Sequence, residues 1–233
     1  MDESSEQLSP ATYVQRSAYH LWYDLPLLLI GGLLFALLCV PSVTLLFLGL
    51  YGPALLLAVL TVPPSWAALL YLESLIVRGI QAGIGDMLIA IPRFAGRSVL
   101  LTLPLSVPLL AFYLILPALS SPAVPAIVWA ALFADVLGIL VLCALALYAA
   151  PLVVFYNVSA RVAFRNGMLL AARYGANTVG LLGMGVLLFG VALYLHNALF
   201  FLLPAVWSLF VVNNCRLVVK LEEERTAGGT SKN

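Results

Sequence analysis

The sequence predicts an all-α, polytopic bundle of about six membrane-spanning helices, and three observations predict it. Of the 233 residues, 64% are hydrophobic and 9% charged, where a water-soluble domain needs about a quarter charged side chains for its polar skin. Several apolar runs exceed the roughly 18 residues that a hydrocarbon crossing requires. They are apolar on every face rather than alternating, so they read as helices and not as strands of a barrel, the other structure that pairs all its backbone groups inside lipid.

The chain opens on "MDESSEQLSPATYVQRSAYH", a polar segment over residues 1–20 without the basic start, short apolar core and small-residue cleavage site of a signal peptide. A single membrane domain follows over 21–220, then a polar tail over 221–233, "LEEERTAGGTSKN", helical to about Arg225 and frayed beyond. Within the domain the turn signals and charges mark spans at roughly 25–48, 54–78, 98–117, 125–150, 178–196 and 198–218. "LYGP" separates the first two, the breaker-rich "PALSSPAVP" the third and fourth, and the tight "LHNA" the last two. A second division stays open: Pro64 in the first turn of a helix would cut residues 22–80 into three short spans. With two spans there, Pro41 and the Pro63-Pro64 pair become internal kinks.

All eleven basic residues fall on one side of this arrangement. Arg16 precedes the first span; Arg78, Arg93 and Arg97 follow the second; Arg161, Arg165 and Arg173 follow the fourth; Arg216, Lys220, Arg225 and Lys232 close or follow the sixth. Loops rich in Lys and Arg stay inside, so both termini are expected to be cytoplasmic. Trp22, Tyr23, Phe155 and Tyr156 near the inner ends, and Tyr51, Tyr113, Trp129 and Tyr194 near the outer ones, suit the two interfaces.

An internal repeat links two inner connections. "DMLIAIPRFAGRSV" (86–99) aligns without gaps on "NGMLLAARYGANTV" (166–179), pairing Arg93 with Arg173, Phe94 with Tyr174 and Ser98 with Thr178. Each copy follows an inward-going span and precedes a helical hairpin, and each reads as an amphipathic helix. In the first, Ile80, Ile84, Met87, Ile91 and Phe94 recur at helical spacing; in the second, Arg161, Arg165, Arg173 and Asn177 recur at multiples of four. Such helices lie in the headgroup plane and offer Arg93, Arg97, Arg161, Arg165 and Arg173 to anionic lipid or a partner. The other reading keeps each as the inward extension of a membrane helix with snorkelling arginines.

"CVPSVT" (39–44), "AALLYLESLIVRG" (67–79), "DMLIAIPRFAGRS" (86–98) and "FRNGMLLAARYGANTV" (164–179) follow one another in an order that resembles the YesL-like family of small bacterial integral membrane proteins. About twenty extra apolar residues between the first two elements depart from that family's pattern. The resemblance implies a bacterial cell membrane location and an accessory role beside a transport system, carbohydrate uptake among them, rather than a reaction.

Within the spans the acidic residues are Asp135 and Glu73. A carboxylate at mid-bilayer costs about 3 kcal/mol on insertion scales and so faces the bundle interior. Asp135, some ten residues into its span, is the main candidate for an intramembrane polar site. It reads either as a proton, cation or solute contact or as interhelical glue bonded to Ser106 or Thr102. Glu73 reads as an inner-interface residue near Arg78. Gly175, Gly180, Gly183, Gly185 and Gly190 thin the fifth span for close packing, within the bundle or in a homo-oligomer.

No HExxH, GxSxG or phosphate-binding glycine loop is present. Cys39, Cys143 and Cys215 lack metal or redox spacing. His20 and His196 lie at span ends. No enzymatic activity, cofactor, metal or nucleic-acid partner is therefore expected. Two functions remain: an accessory protein of a membrane transport complex or envelope system, and a small-solute transporter or transport subunit that uses Asp135.

Overall fold

The computed structural model describes residues 10–120, 124–195 and 199–230. They form α1 (Pro10–Tyr23), α2 (Leu25–Phe47), α3 (Tyr51–Val77), α4 (Ile84–Ile115), α5 (Ala126–Tyr156), α6 (Ala160–Arg173), α7 (Gly175–Leu195) and α8 (Leu199–Thr230). Among the described residues α2, α3, α5, the run Ile84–Leu119 and Phe201–Arg225 are each long and apolar enough to cross a membrane. The pair α6 and α7, bent by 99° at Tyr174, passes the same test only when the two are taken together, which gives five or six candidate spans. The protein is thus a multi-pass helical bundle of membrane-like character.

Local sequence explains where the first hairpin and its exit stop. At the end of α2 the Gly49 N–H donates to the Leu46 carbonyl and the Leu50 N–H to that of Leu45, both at 3.0 Å. At the end of α3 the Gly79 N–H donates to Ile76 and the Ile80 N–H to Leu75, at 2.9 and 3.0 Å. Both are Schellman closures, which satisfy the orphan carbonyls and require a left-handed residue; Gly49 and Gly79 supply it with φ of 75° and 70°. The next helix starts on the Gly83 N–H, which donates to Asp86 Oδ2 at 2.9 Å, one arm of a capping box.

Residues 22–80 thus make two spans, and the prolines sit inside them: Pro41 in α2, Pro63 and Pro64 in α3. A proline leaves a carbonyl one turn earlier without its donor, and nearby hydroxyls cluster around these breaks. Thr44 Oγ1 donates to Val40 O at 2.9 Å, Ser65 Oγ to Thr61 O at 2.6 Å, and Ser42 and Thr61 join α2 to α3 at 3.1 Å. Such polar contacts hold helices together where hydrophobicity alone gives no reason to associate.

The two amphipathic segments take different forms. In the first copy, residues 84–115 are one unbroken helix, so "DMLIAIPRFAGRSV" is the inward extension of the third span. The second copy breaks, and α6 is a separate helix packed on α5 through buried Ala160, Ala163, Gly167 and Leu170. Gly167 permits that closeness, because a Cβ there would lie 2.9 Å from Ala149 Cβ and 3.1 Å from Leu145 O.

Helix α8 is the hub, packing against α1, α2, α3, α5 and α7. On α2, Gly31 faces Leu69 and Leu72 of α3, while Gly32 meets the Phe201 carbonyl of α8. Outward lies a broad apolar belt that includes Leu37, Phe47, Phe133 and Val186; such a continuous patch is a liability in water and the solvated surface in lipid.

The polar segment 1–20 contributes most of α1, whose Ser17 is fully buried, and the tail from 221 continues α8 to Thr230. On α7, Gly180, Gly183 and Gly190 have no neighbour within 4 Å of a would-be Cβ, and only Gly185 packs closely, against the Trp207 ring. Residues 196–198 of the "LHNA" turn, His196 among them, Lys232 and the acidic residues Asp2, Glu3 and Glu6 lie outside the described residues.

Candidate functional site

Two groups of polar side chains stand out, one inside the bundle and one at its arginine-bearing end. The inner group is organised by α8. Glu73 of α3 is 0% exposed, and its Oε1 is hydrogen-bonded to Ser208 Oγ of α8. Further along α8, Asn213 Nδ2 donates to Ser17 Oγ of α1 at 3.0 Å, and Asn214 Oδ1 accepts from Asn177 Nδ2 of α7. Nearby, Tyr148 of α5 and Thr178 of α7 share a hydrogen bond of 3.1 Å. Each contact joins a different pair of helices, the role that polar side chains play between apolar helices.

Among the described residues three buried side-chain polar atoms are left without a hydrogen-bond partner: Glu73 Oε2, Asp135 Oδ2 and Asn214 Nδ2. The expected bond from Ser106 or Thr102 to Asp135 is not made. Those hydroxyls donate to carbonyls of their own helix, Ser106 to Leu103 at 2.6 Å and Thr102 to Ser98 at 3.0 Å. Nor is Glu73 an interfacial partner of Arg78, whose guanidinium donates to Phe155 O at 3.3 Å and lies 5.5 Å from the Phe155 ring centroid.

At the other group, arginines cap helix ends. Arg97 donates to Asn157 O at 3.1 Å and to its Oδ1, holding the residue just past α5 in a left-handed turn of φ 52°. Arg216 donates to Val77 O, the last residue of α3, at 3.0 Å. The final carbonyls of a helix lack internal donors and carry the negative end of its dipole, so a guanidinium there answers both needs. Arg93 lies over the rings of Phe94 and Tyr71, at 5.2 and 5.6 Å. Arg173 pairs with Glu222 of α8, which also accepts from Tyr174 Oη at 3.2 Å.

Arg161 and Arg165 are different. Both are exposed on α6, and among the described residues neither has a hydrogen-bond, ion-pair or ring partner. Val162, Met168 and Leu169, 45%, 60% and 57% exposed, share the outward side of the same helix. Of the five arginines expected at this face, Arg93, Arg97 and Arg173 therefore serve the bundle, and Arg161 and Arg165 remain available.

Sequence reasoning missed Ser17, Ser208, Asn213 and Asn214, and it read Asn177 as part of the arginine stripe rather than as a contact to α8; the Asn-Asn pair inside the apolar "FVVNNCRLVV" was the available signal. Among the described residues no group of three His, Cys, Asp or Glu side chains converges on a metal position. Neither protein families, nor curated proteins, nor solved structures compared with this chain match it.

Proposed function

We propose that the protein is a non-enzymatic membrane protein, accessory to a transport or envelope system, that meets its partner through the outward side of α6. Arg161 and Arg165 carry this reading: among the described residues they stand exposed and unpaired beside Val162, Met168 and Leu169, while the neighbouring arginines are used up by carbonyls, rings and Glu222. A surface of exposed cations and apolar side chains suits an acidic partner lying at the membrane surface. On this reading the excess of Lys and Arg turns this end, and both termini, toward the cytoplasm, and the resemblance to the YesL-like family supports a bacterial cell membrane. The resemblance to the YesL-like family adds carbohydrate uptake to the candidate systems.

Crosslinking in native membranes and gentle co-purification test the reading. The double variant Arg161→Gln/Arg165→Gln is expected to reduce recovery of a specific membrane partner at least tenfold while leaving thermal stability within error. Equal recovery from wild type and variant would refute the role of α6.

Asp135 supports a second reading, a small-solute transporter, because its Oδ2 is shut from solvent on α5 without a hydrogen-bond partner. In this case proteoliposomes of the purified protein take up a solute, and Asp135→Asn abolishes uptake without unfolding the bundle. Uptake that survives the substitution would remove Asp135 from the mechanism.

A further inference from the structure

Glu73 poses a problem in hydrogen counting. Its Oε1 contacts Ser208 Oγ, and the same Oγ lies 3.1 Å from the Ala205 carbonyl oxygen. A hydroxyl has one proton to give. With Glu73 ionised, that single proton faces two acceptors, and one of two buried contacts brings oxygen against oxygen with nothing between them. A second proton on the carboxyl resolves both: Glu73 donates to Ser208 Oγ, and Ser208 donates to Ala205 O.

The surroundings offer no counter-charge that would favour the ionised form. α3 packs against α2, α4, α5 and α8. The arginines of this end are engaged elsewhere, Arg78 with Phe155, Arg93 with Tyr71 and Phe94, Arg97 with Asn157 and Arg216 with Val77 O. The other ionisable groups on these helices are Asp24 at the start of α2 and Cys39 on α2; Tyr51 and Tyr71 on α3; Asp86 and Tyr113 on α4; Asp135, Cys143, Tyr148 and Tyr156 on α5; and Cys215, Lys220 and the Glu222–Arg225 run on α8. No hydrogen bond joins any of them to Glu73, and its Oε2 has no partner at all. An unpaired carboxylate oxygen inside protein is far more costly than an unpaired carbonyl of a neutral acid.

We infer that Glu73 is a proton-binding site at the contact between α3 and α8, occupied in the folded bundle and relayed through Ser208 to the Ala205 carbonyl. Loss of the proton leaves an uncompensated charge against the hub helix and withdraws the Ser208 proton from Ala205, so the seating of α8 is linked to protonation. The site is independent of a partner at α6 and of Asp135.

Infrared spectroscopy of the protein in lipid tests it. The C=O stretch of a protonated carboxyl, shifted in D2O, is expected in wild type and in Asp135→Asn and is lost in Glu73→Gln. Raising the pH removes the band. Below the pH at which the band is lost, and above the pH at which the unfolded chain gives up the same proton, only the folded state holds it, so stability falls with rising pH until the band disappears in wild type and stays flat in Glu73→Gln, whose amide N–H replaces the acid as donor. Should Glu73→Gln fail to fold, Ser208→Ala reports instead, by moving the band toward the frequency of a free acid. A band unaltered by Glu73→Gln, or unmoved by Ser208→Ala, overturns the assignment, as does absence of the band in wild type.

Discussion

Gly32→Ala is expected to unseat α8 from α2. A Cβ at this position would sit 2.0 Å from the Phe201 carbonyl oxygen and 3.2 Å from its carbon. Both obstacles are backbone, so no rotamer change relieves them and one helix must move. Overpacking a close-fitted core costs about 1–3 kcal/mol and sometimes more, and this contact belongs at the upper end. Thermal unfolding in detergent, with size-exclusion recovery of folded protein, measures the effect. Gly96→Ala is the control, since nothing lies within 4 Å of its would-be Cβ. Equal melting temperatures for the two variants would mean that α2 and α8 do not approach as described.

Phe94→Ala is expected to loosen the junction of α3 and α4. Phe94 is 1% exposed, its ring centroid lies 5.7 Å from that of Tyr71, and Arg93 rests over both rings. Truncating a buried aromatic side chain costs about 3–5 kcal/mol when the surroundings do not collapse into the space. Phe133, 73% exposed in the apolar belt, is the contrasting position. Its alanine variant is expected to melt close to wild type, because lipid chains fill what the ring leaves. A Phe94→Ala protein as stable as Phe133→Ala would place Phe94 outside the core.

The spans were legible because hydropathy reports on the solvent. The expected stretches 25–48 and 54–78 correspond to Leu25–Phe47 and Tyr51–Val77, and the glycines after them close both helices. Which faces meet was not legible. In lipid the buried and the exposed sides of a helix are both apolar, so periodicity that would orient a helix in a soluble protein is faint here. For that reason the sequence did not mark α8 as the hub, and the glycines of α7 suggested close packing that only Gly185 makes. Polar side chains were legible as candidates but not as pairs. Glu73 was visible, yet its partner Ser208 lies 135 residues away. Arg97 read as an interfacial anchor because nothing local reveals that it reaches the turn at Asn157, 60 residues on. The α6 arginines remained readable because no other part of the chain claims them.

The position of the hub helix in the chain bears on biogenesis. α8 leaves the ribosome after α1 to α7 have been delivered to the bilayer, yet it supplies the partners of Ser17, Glu73 and Asn177. Until it arrives, the earlier segments wait as a half-built assembly whose polar groups face lipid or the insertion machinery. An acidic side chain on α3 that still lacks its cover is what sets such an unfinished molecule apart from the folded bundle.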